Sequence, residues 1–285
     1  MTEIFASGLL DGEKILVTGG GSGLGRSFAE RFSELGAEVV ICGRRTEVLS
    51  EAAEKIIAKG GRASFHPCDV RDAAQVEAMF DAIWTTGPLT GLLNNAAGNF
   101  IARTETLSTR AFHSVLNIVL HGSAYCSLAA GRRWIEGSRK GTILSIVSSS
   151  AWQGRPFMVP SATAKAGVLA MTRSLAIEWG PKGIRTLAVA PGLFPTEGAW
   201  DRLYPDQSQA EPQEMQVPLR RLGEHIEIAN LVAYLMSSFS NYINGECISI
   251  DGGRSLQEGG AVGSKKLFEW SPDQWDSFKR GLTQK

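Results

Sequence analysis

The chain has 285 residues, 43% of them apolar, and its 29 basic and 29 acidic side chains cancel to a formal charge of zero. That size and apolar content allow a sizeable core. The charge balance provides no basic excess for nucleic acid or an anionic membrane, and no run reaches the roughly 18 apolar residues of a membrane span.

Short β-rich runs alternate with longer helical stretches. Lys14 to Thr18 reads as a strand running into glycines. Ser22 to Leu35 reads as a helix, with Leu24, Phe28, Phe32 and Leu35 on one stripe and Gly36 as its stop. Strand 38–42, helix 46–59, strand 64–67, helix 72–84 and strand 91–94 follow. Leu107 to Glu136 contains one long helix, then come strand 142–146, helix 161–178, strand 185–190, helix 226–236 and strand 246–250. This alternation requires crossovers and a parallel sheet covered on both faces: one α/β domain over 1–285, with about seven strands. Two segments fall outside the pattern, a candidate substrate lid at about 192–220 and a tail at about 254–285.

Cys42, Cys68, Cys126 and Cys247 show no metal-ligand spacing and read as reduced, mostly buried thiols. His66, His113, His121 and His225 likewise form no metal pattern. Met1 to Leu10 is too weakly apolar for a secretory signal, and the final residues are not a Ser-Lys-Leu-type address. The expected location is cytoplasmic.

Thr18-Gly19-Gly20-Gly21-Ser22-Gly23-Leu24-Gly25 follows the first strand and opens the first helix. Glycines there permit a tight turn and close approach of backbone to a diphosphate, which the helix N-terminus attracts. An acid at the end of the second strand would bind a ribose 2′-hydroxyl. This chain has Cys42-Gly43-Arg44-Arg45 instead, so Arg44, with Arg45, can meet a 2′-phosphate, and the expected cofactor is NADPH. Asp69 and Val70 can border the adenine.

With Asn94-Asn95-Ala96-Ala97-Gly98, the Ser148/Lys165 spacing, and Pro191-Gly192 with Thr196, the chain from about Gly8 to Gly253 resembles the short-chain dehydrogenase/reductase family. The resemblance implies a Rossmann-type, doubly wound sheet, a nicotinamide cofactor and a homo-oligomer, dimer or tetramer. It implies cofactor contacts from Asn95, Ala96, Ala97, Pro191, Gly192, Phe194 and Thr196. It also places Lys165 on the nicotinamide ribose with Ser161 beside it. A narrower resemblance, through Asn99-Phe100-Ile101, Val159-Pro160-Ser161-Ala162 and Ile243-Asn244-Gly245, is to the NADPH-dependent 2,4-dienoyl-CoA reductases. Ser161 stands where most of the family has its catalytic tyrosine, as in that branch. The branch's mitochondrial members use another tyrosine, matched here by Ser150, together with an asparagine matched by Asn99. The family's usual asparagine in the long helix is replaced by Val119.

These substitutions select among reactions. Reduction of a dienoyl thioester builds negative charge on the thioester oxygen, which needs hydrogen-bond donors. Asn99 can supply an amide and Ser148, Ser149 or Ser150 a hydroxyl, while water protonates carbon. A ketone reduction instead needs a positioned acid, and serine is far weaker than a phenol. The reading is an NADPH-dependent reductase of an unsaturated acyl-CoA. The alternatives are an NADPH-binding protein without turnover and a carbonyl reductase with another proton donor. Asn99 is open to a loop-capping role, Ser161 to packing, and Ser148 and Ser150 to backbone capping. Trp152, Phe157 and Met158 line an acyl tunnel or pack on the neighbouring helix. Arg103, Arg155 and Arg202 are candidates for the CoA phosphates, and Tyr204 could reach substrate from the lid.

Overall fold

A computed structural model describes residues 3–196, 212–260 and 271–283, the side chains of 258–260 and 278–283 excepted. Seven strands, β1 (Lys14–Thr18), β2 (Glu38–Gly43), β3 (Arg62–Pro67), β4 (Gly91–Asn94), β5 (Gly141–Ile146), β6 (Ile184–Pro191) and β7 (Cys247–Ile250), form one sheet in the order β3-β2-β1-β4-β5-β6-β7. Every pairing is parallel. The chain winds outward from β1 through β2 to β3, then crosses back to lay β4 on the other side of β1. That reversal opens a crevice beyond the strand ends, where ligands bind in open α/β sheets.

Alternation within the strands explains the two-sided core. Ile15 and Val17 of β1, Val39 and Ile41 of β2, and Leu144 of β5 face one side, with α1 (Gly23–Glu34) and α2 (Thr46–Ala58) packed over them. Leu16, Val40, Cys42 and Ile143 face the other, under α3 (Ala73–Thr85). Neighbouring residues point to opposite faces, and both faces are covered, so the strands read as unbroken apolar runs.

The long helix expected between 107 and 136 is α4 (Thr109–Leu116) and α5 (Gly122–Glu136), joined by a π turn at Asn117–His121. A π turn inserts one residue into the helical period, which the 3.6-residue pattern does not reveal. A short α6 (Ser150–Gln153), unexpected from sequence, precedes α7 (Val159–Trp179). Helix α7 begins two residues earlier than expected because Pro160 occupies its first turn, where a missing N–H costs nothing. After β6, α8 (His225–Met236) covers the first face through Ile228, Ala229 and Val232.

The tail from 254 is a correction, since its described part is helical: α9 (Arg254–Gly260) and α10 (Pro272–Thr283). The Asp251 carboxylate accepts from the Gly253 and Ser255 N–H groups and so starts α9. Ser271 and Gln274 exchange side-chain and backbone hydrogen bonds across the first turn of α10. Residues 197–211 of the expected lid lie outside the described residues, as do 261–270 of the tail. Among the described residues no helix is long and apolar enough to cross a membrane.

Candidate active site

The loops after β1, β4, β5 and β6 meet at the C-terminal edge of the sheet. The turn after β1 is held against the loop after β4 by Thr18, whose hydroxyl accepts from the Asn95 and Ala96 N–H groups at 2.9 and 3.0 Å. The Asn95 amide returns a bond to the Thr18 carbonyl at 2.9 Å. Two glycines are needed for shape. Gly19 has φ of +68°, and a Cβ on Gly25 would lie 2.2 Å from the Gly19 carbonyl oxygen. Only a bare backbone lets α1 press this closely on the turn.

Beside that turn lies a crevice of about 350 Å³ whose walls include Gly21, Ser22, Gly23, Arg44, Arg45, Asp69 and Val70. The structure therefore brings together the residues that the sequence assigned to a nucleotide. Arg45 donates to Ser22 Oγ at 3.5 Å. Asp69 is gripped by Arg71, a partner that sequence reasoning missed; this hydrogen bonding holds its carboxyl below the usual range, with the Arg44 charge a smaller contribution. Cys42 and Cys68 also line the crevice. Burial pushes both thiols up, Cys68 to about 11, so they present neutral sulfur at neutral pH. The glycine turn and the crevice beside it fit a dinucleotide.

Leu24, Asn95, Ala97 and Thr196 line both this crevice and a second cavity of about 840 Å³. The second cavity gathers Asn99, Ser148, Ser150, Ser161, Lys165, Pro191, Gly192 and Phe194. Lys165 is buried, donates to the Ile146 carbonyl, and has its amine lowered by burial to about 8. Ser161, one turn earlier on α7, is also buried. The Ser148 and Ser150 hydroxyls lie 2.6 Å apart. Asn99 accepts the Phe100 N–H through Oδ1 at 2.9 Å, which fixes the amide and leaves Nδ2 as its donor.

Other candidates divide. Phe157, Met158 and Arg155 line the cavity, whereas Trp152 and Arg103 do not; Trp152 is 47% exposed on α6. Tyr204 and Arg202 lie outside the described residues. Tyr125, Tyr234 and Tyr242 are absent from the cavity wall. Gln153, Leu193 and Arg254 line it without having been singled out in the sequence. The local signal for Gln153 and Arg254 was weak, because α6 and α9 were themselves not foreseen.

Residues 19–255 match a family model described as Enoyl-(Acyl carrier protein) reductase. A protein of Bacillus subtilis named as a probable 2,4-dienoyl-CoA reductase is 42% identical over 249 residues, covering 87% of this chain and 98% of its own. The crystal structure of a short chain dehydrogenase from Bacillus anthracis matches with a TM-score of 0.77 at 44% identity, over 85% of this chain and 96% of that one. A gluconate 5-dehydrogenase of Burkholderia cenocepacia, solved with NADP and tartrate, matches with a TM-score of 0.81 at 29% identity, over 87% and 96% of the two chains. By family model, sequence identity and superposable fold, the chain belongs to the short-chain dehydrogenase/reductase family, groups with its 2,4-dienoyl-CoA reductases, and is an oxidoreductase with a nicotinamide cofactor.

Proposed function

We propose that the protein reduces an unsaturated fatty acyl-CoA, a 2,4-dienoyl-CoA by preference, with NADPH as the hydride source. The observation that carries this reading is the composition of the larger cavity: the Asn99 amide, the hydroxyls of Ser148, Ser149, Ser150 and Ser161, and a buried lysine, with no tyrosine among the described residues on its wall. The name of the Bacillus subtilis relative supports the same substrate class. Preference for NADPH over NADH rests on Arg44 and Arg45, which line the crevice and can meet a 2′-phosphate.

When bound, NADPH supplies a hydride to the far carbon of the conjugated system. The protein's part is to hold the thioester and stabilise its oxygen as negative charge collects there. Asn99 Nδ2 donates one hydrogen bond to that oxygen. The Ser148–Ser150 pair shares one of its two hydrogens internally, so the other is available to the same oxygen. Donors fixed before the reaction need no reorganisation during it, which is where such stabilisation gains over water. Lys165, anchored by the Ile146 carbonyl, would hold the cofactor's ribose through its remaining N–H groups, with Ser161 alongside. Ile101, Val119, Leu193 and Phe157 give the cavity apolar walls suited to an acyl chain. The carbon that must be protonated takes its proton from water, so no phenol is required.

The test is NADPH consumption with a medium-chain 2,4-dienoyl-CoA beside crotonyl-CoA and a panel of ketones. Consumption with the dienoyl thioester and none with the ketones is expected. NADPH binding without consumption on any substrate would instead favour a nucleotide-binding protein that does not turn over, a reading that a wall without tyrosine among the described residues also permits.

A further inference from the structure

We infer that His225 is a positioning residue for the cofactor, tying the phosphate-side helix to the segment from Gly192 to Thr196 that follows β6 and lines the site. This rests on the cofactor placement proposed above. His225 is the first residue of α8, far in sequence from both segments it touches. Its Nε2 lies 2.6 Å from the Pro195 carbonyl, and its Nδ1 lies 2.8 Å from the Ser27 hydroxyl of α1. Pro195 offers only a carbonyl here, so Nε2 carries the hydrogen. In the neutral ring Nδ1 then accepts the Ser27 hydroxyl. The bonds thus run in one direction, from Ser27 to the imidazole to Pro195.

Each end of this relay abuts the candidate cofactor site. Ser27 lies one turn beyond Gly23, whose carbonyl is 3.3 Å from the Ser27 hydroxyl and whose backbone lines the crevice. Pro195 precedes Thr196, which lines both crevice and cavity and whose side chain lies 3.5 Å from where a Gly23 Cβ would be. A second tie from the same helix end, Gly223 N–H to the Leu193 carbonyl at 2.9 Å, fixes the start of this segment but not its far end. The imidazole alone, among the described residues, bridges Pro195 and α1 by side-chain hydrogen bonds. It therefore sets the distance between the glycine turn, which would hold the diphosphate, and Thr196, which would face the nicotinamide half.

The test compares binding of a whole dinucleotide with binding of its adenosine half. The dinucleotide is whichever of NADPH or NADH the wild-type chain binds more tightly; the half is 2′,5′-ADP or 5′-AMP accordingly. His225→Ala is expected to weaken the dinucleotide about three- to ten-fold, the range of one lost hydrogen bond, and to leave the adenosine half unchanged. His225→Gln places an amide N–H near the Nε2 position and is expected to restore dinucleotide binding to within about two-fold. Adding Ser27→Ala to His225→Ala should weaken binding no further, because the relay is already open. Equal loss for the dinucleotide and its half, no loss for either, or no rescue by glutamine would each overturn the inference. If His225→Ala fails to fold, Ser27→Ala reads the same relay, and unchanged dinucleotide binding in that variant would overturn it. A wild-type chain that binds neither dinucleotide would overturn the cofactor placement itself, and this inference with it.

Discussion

Lys165 is a buried amine with no carboxylate paired to it among the described residues, and burial alone lowers it from 10.5 to about 8. The sign of the stability effect follows. Below pH 8 both folded and unfolded chains hold the proton, and the folded state bears the full cost of burying charge. Between pH 8 and 10.5 the folded chain has released a proton that the unfolded chain keeps, so stability rises with pH across that window. A Lys165→Met variant should therefore be more stable than wild type at pH 7, by up to about 3 kcal/mol, with the gap closing toward pH 10.5. Denaturant unfolding of both chains at several pH values checks this; a gap that widens with pH would contradict it. The same variant should lose activity, a trade of stability for function at one site. Asn99→Ala should lower kcat/KM by about 10²–10³-fold while leaving NADPH affinity near wild type, as removal of an oxyanion donor does. Steady-state kinetics with a dienoyl-CoA, beside a cofactor titration, measures both. At this scale the sequence singled out Asn99, Ser161 and Lys165 through motif and chemistry, and the fold brings all three to one cavity. It was silent on His225 and Arg71, whose partners Pro195 and Asp69 become visible only through folded geometry.

The first strand-turn-helix unit shows why a glycine pattern is legible. A Cβ at position 25 would collide with the Gly19 carbonyl and with the Asn95 amide, which lie 2.2 and 2.5 Å from it. Gly25→Ala is therefore expected to open the turn, costing about 1–3 kcal/mol and most of the cofactor affinity. Thermal unfolding and a cofactor titration would show both losses, and a normal melting temperature with normal binding would count against the close packing. The strands and flanking helices up to β7 were legible because their apolar residues follow the two-residue and 3.6-residue periods. The misses have separate causes. The π turn at Asn117–His121 breaks the helical period without a glycine or proline to mark it. Helix α6 is only four residues long, too short to show a period. The start of α10 was readable, since Ser271-Pro272-Asp273-Gln274 carries a capping pattern with proline in the first turn, and Trp275, Phe278 and Leu282 follow at the i, i+3, i+7 spacing of one helix face.

Across the whole molecule, the reversal of strand order between β1 and β4 sets the dinucleotide crevice and the reaction cavity side by side. A ligand spanning them would tie the two halves of the sheet together, so binding and global stability are linked. At 100 times its Kd, a dinucleotide should stabilise the fold by about 2.7 kcal/mol. NADPH should raise the melting temperature more than NADH at equal concentration, and Arg44→Ala should narrow that difference. An equal shift for both cofactors in wild type would remove the 2′-phosphate assignment.

The most direct test of the central claim is to follow the hydride itself. The protein is incubated with a 2,4-dienoyl-CoA and NADPH carrying deuterium at its transferable position, and the thioester is analysed by mass spectrometry. The expected product is a mono-unsaturated acyl-CoA with one deuterium on the far carbon of the former diene, formed at a site without a tyrosine on its described wall. Recovery of unlabelled dienoyl-CoA with the NADPH intact, from protein that demonstrably binds the cofactor, would contradict that claim.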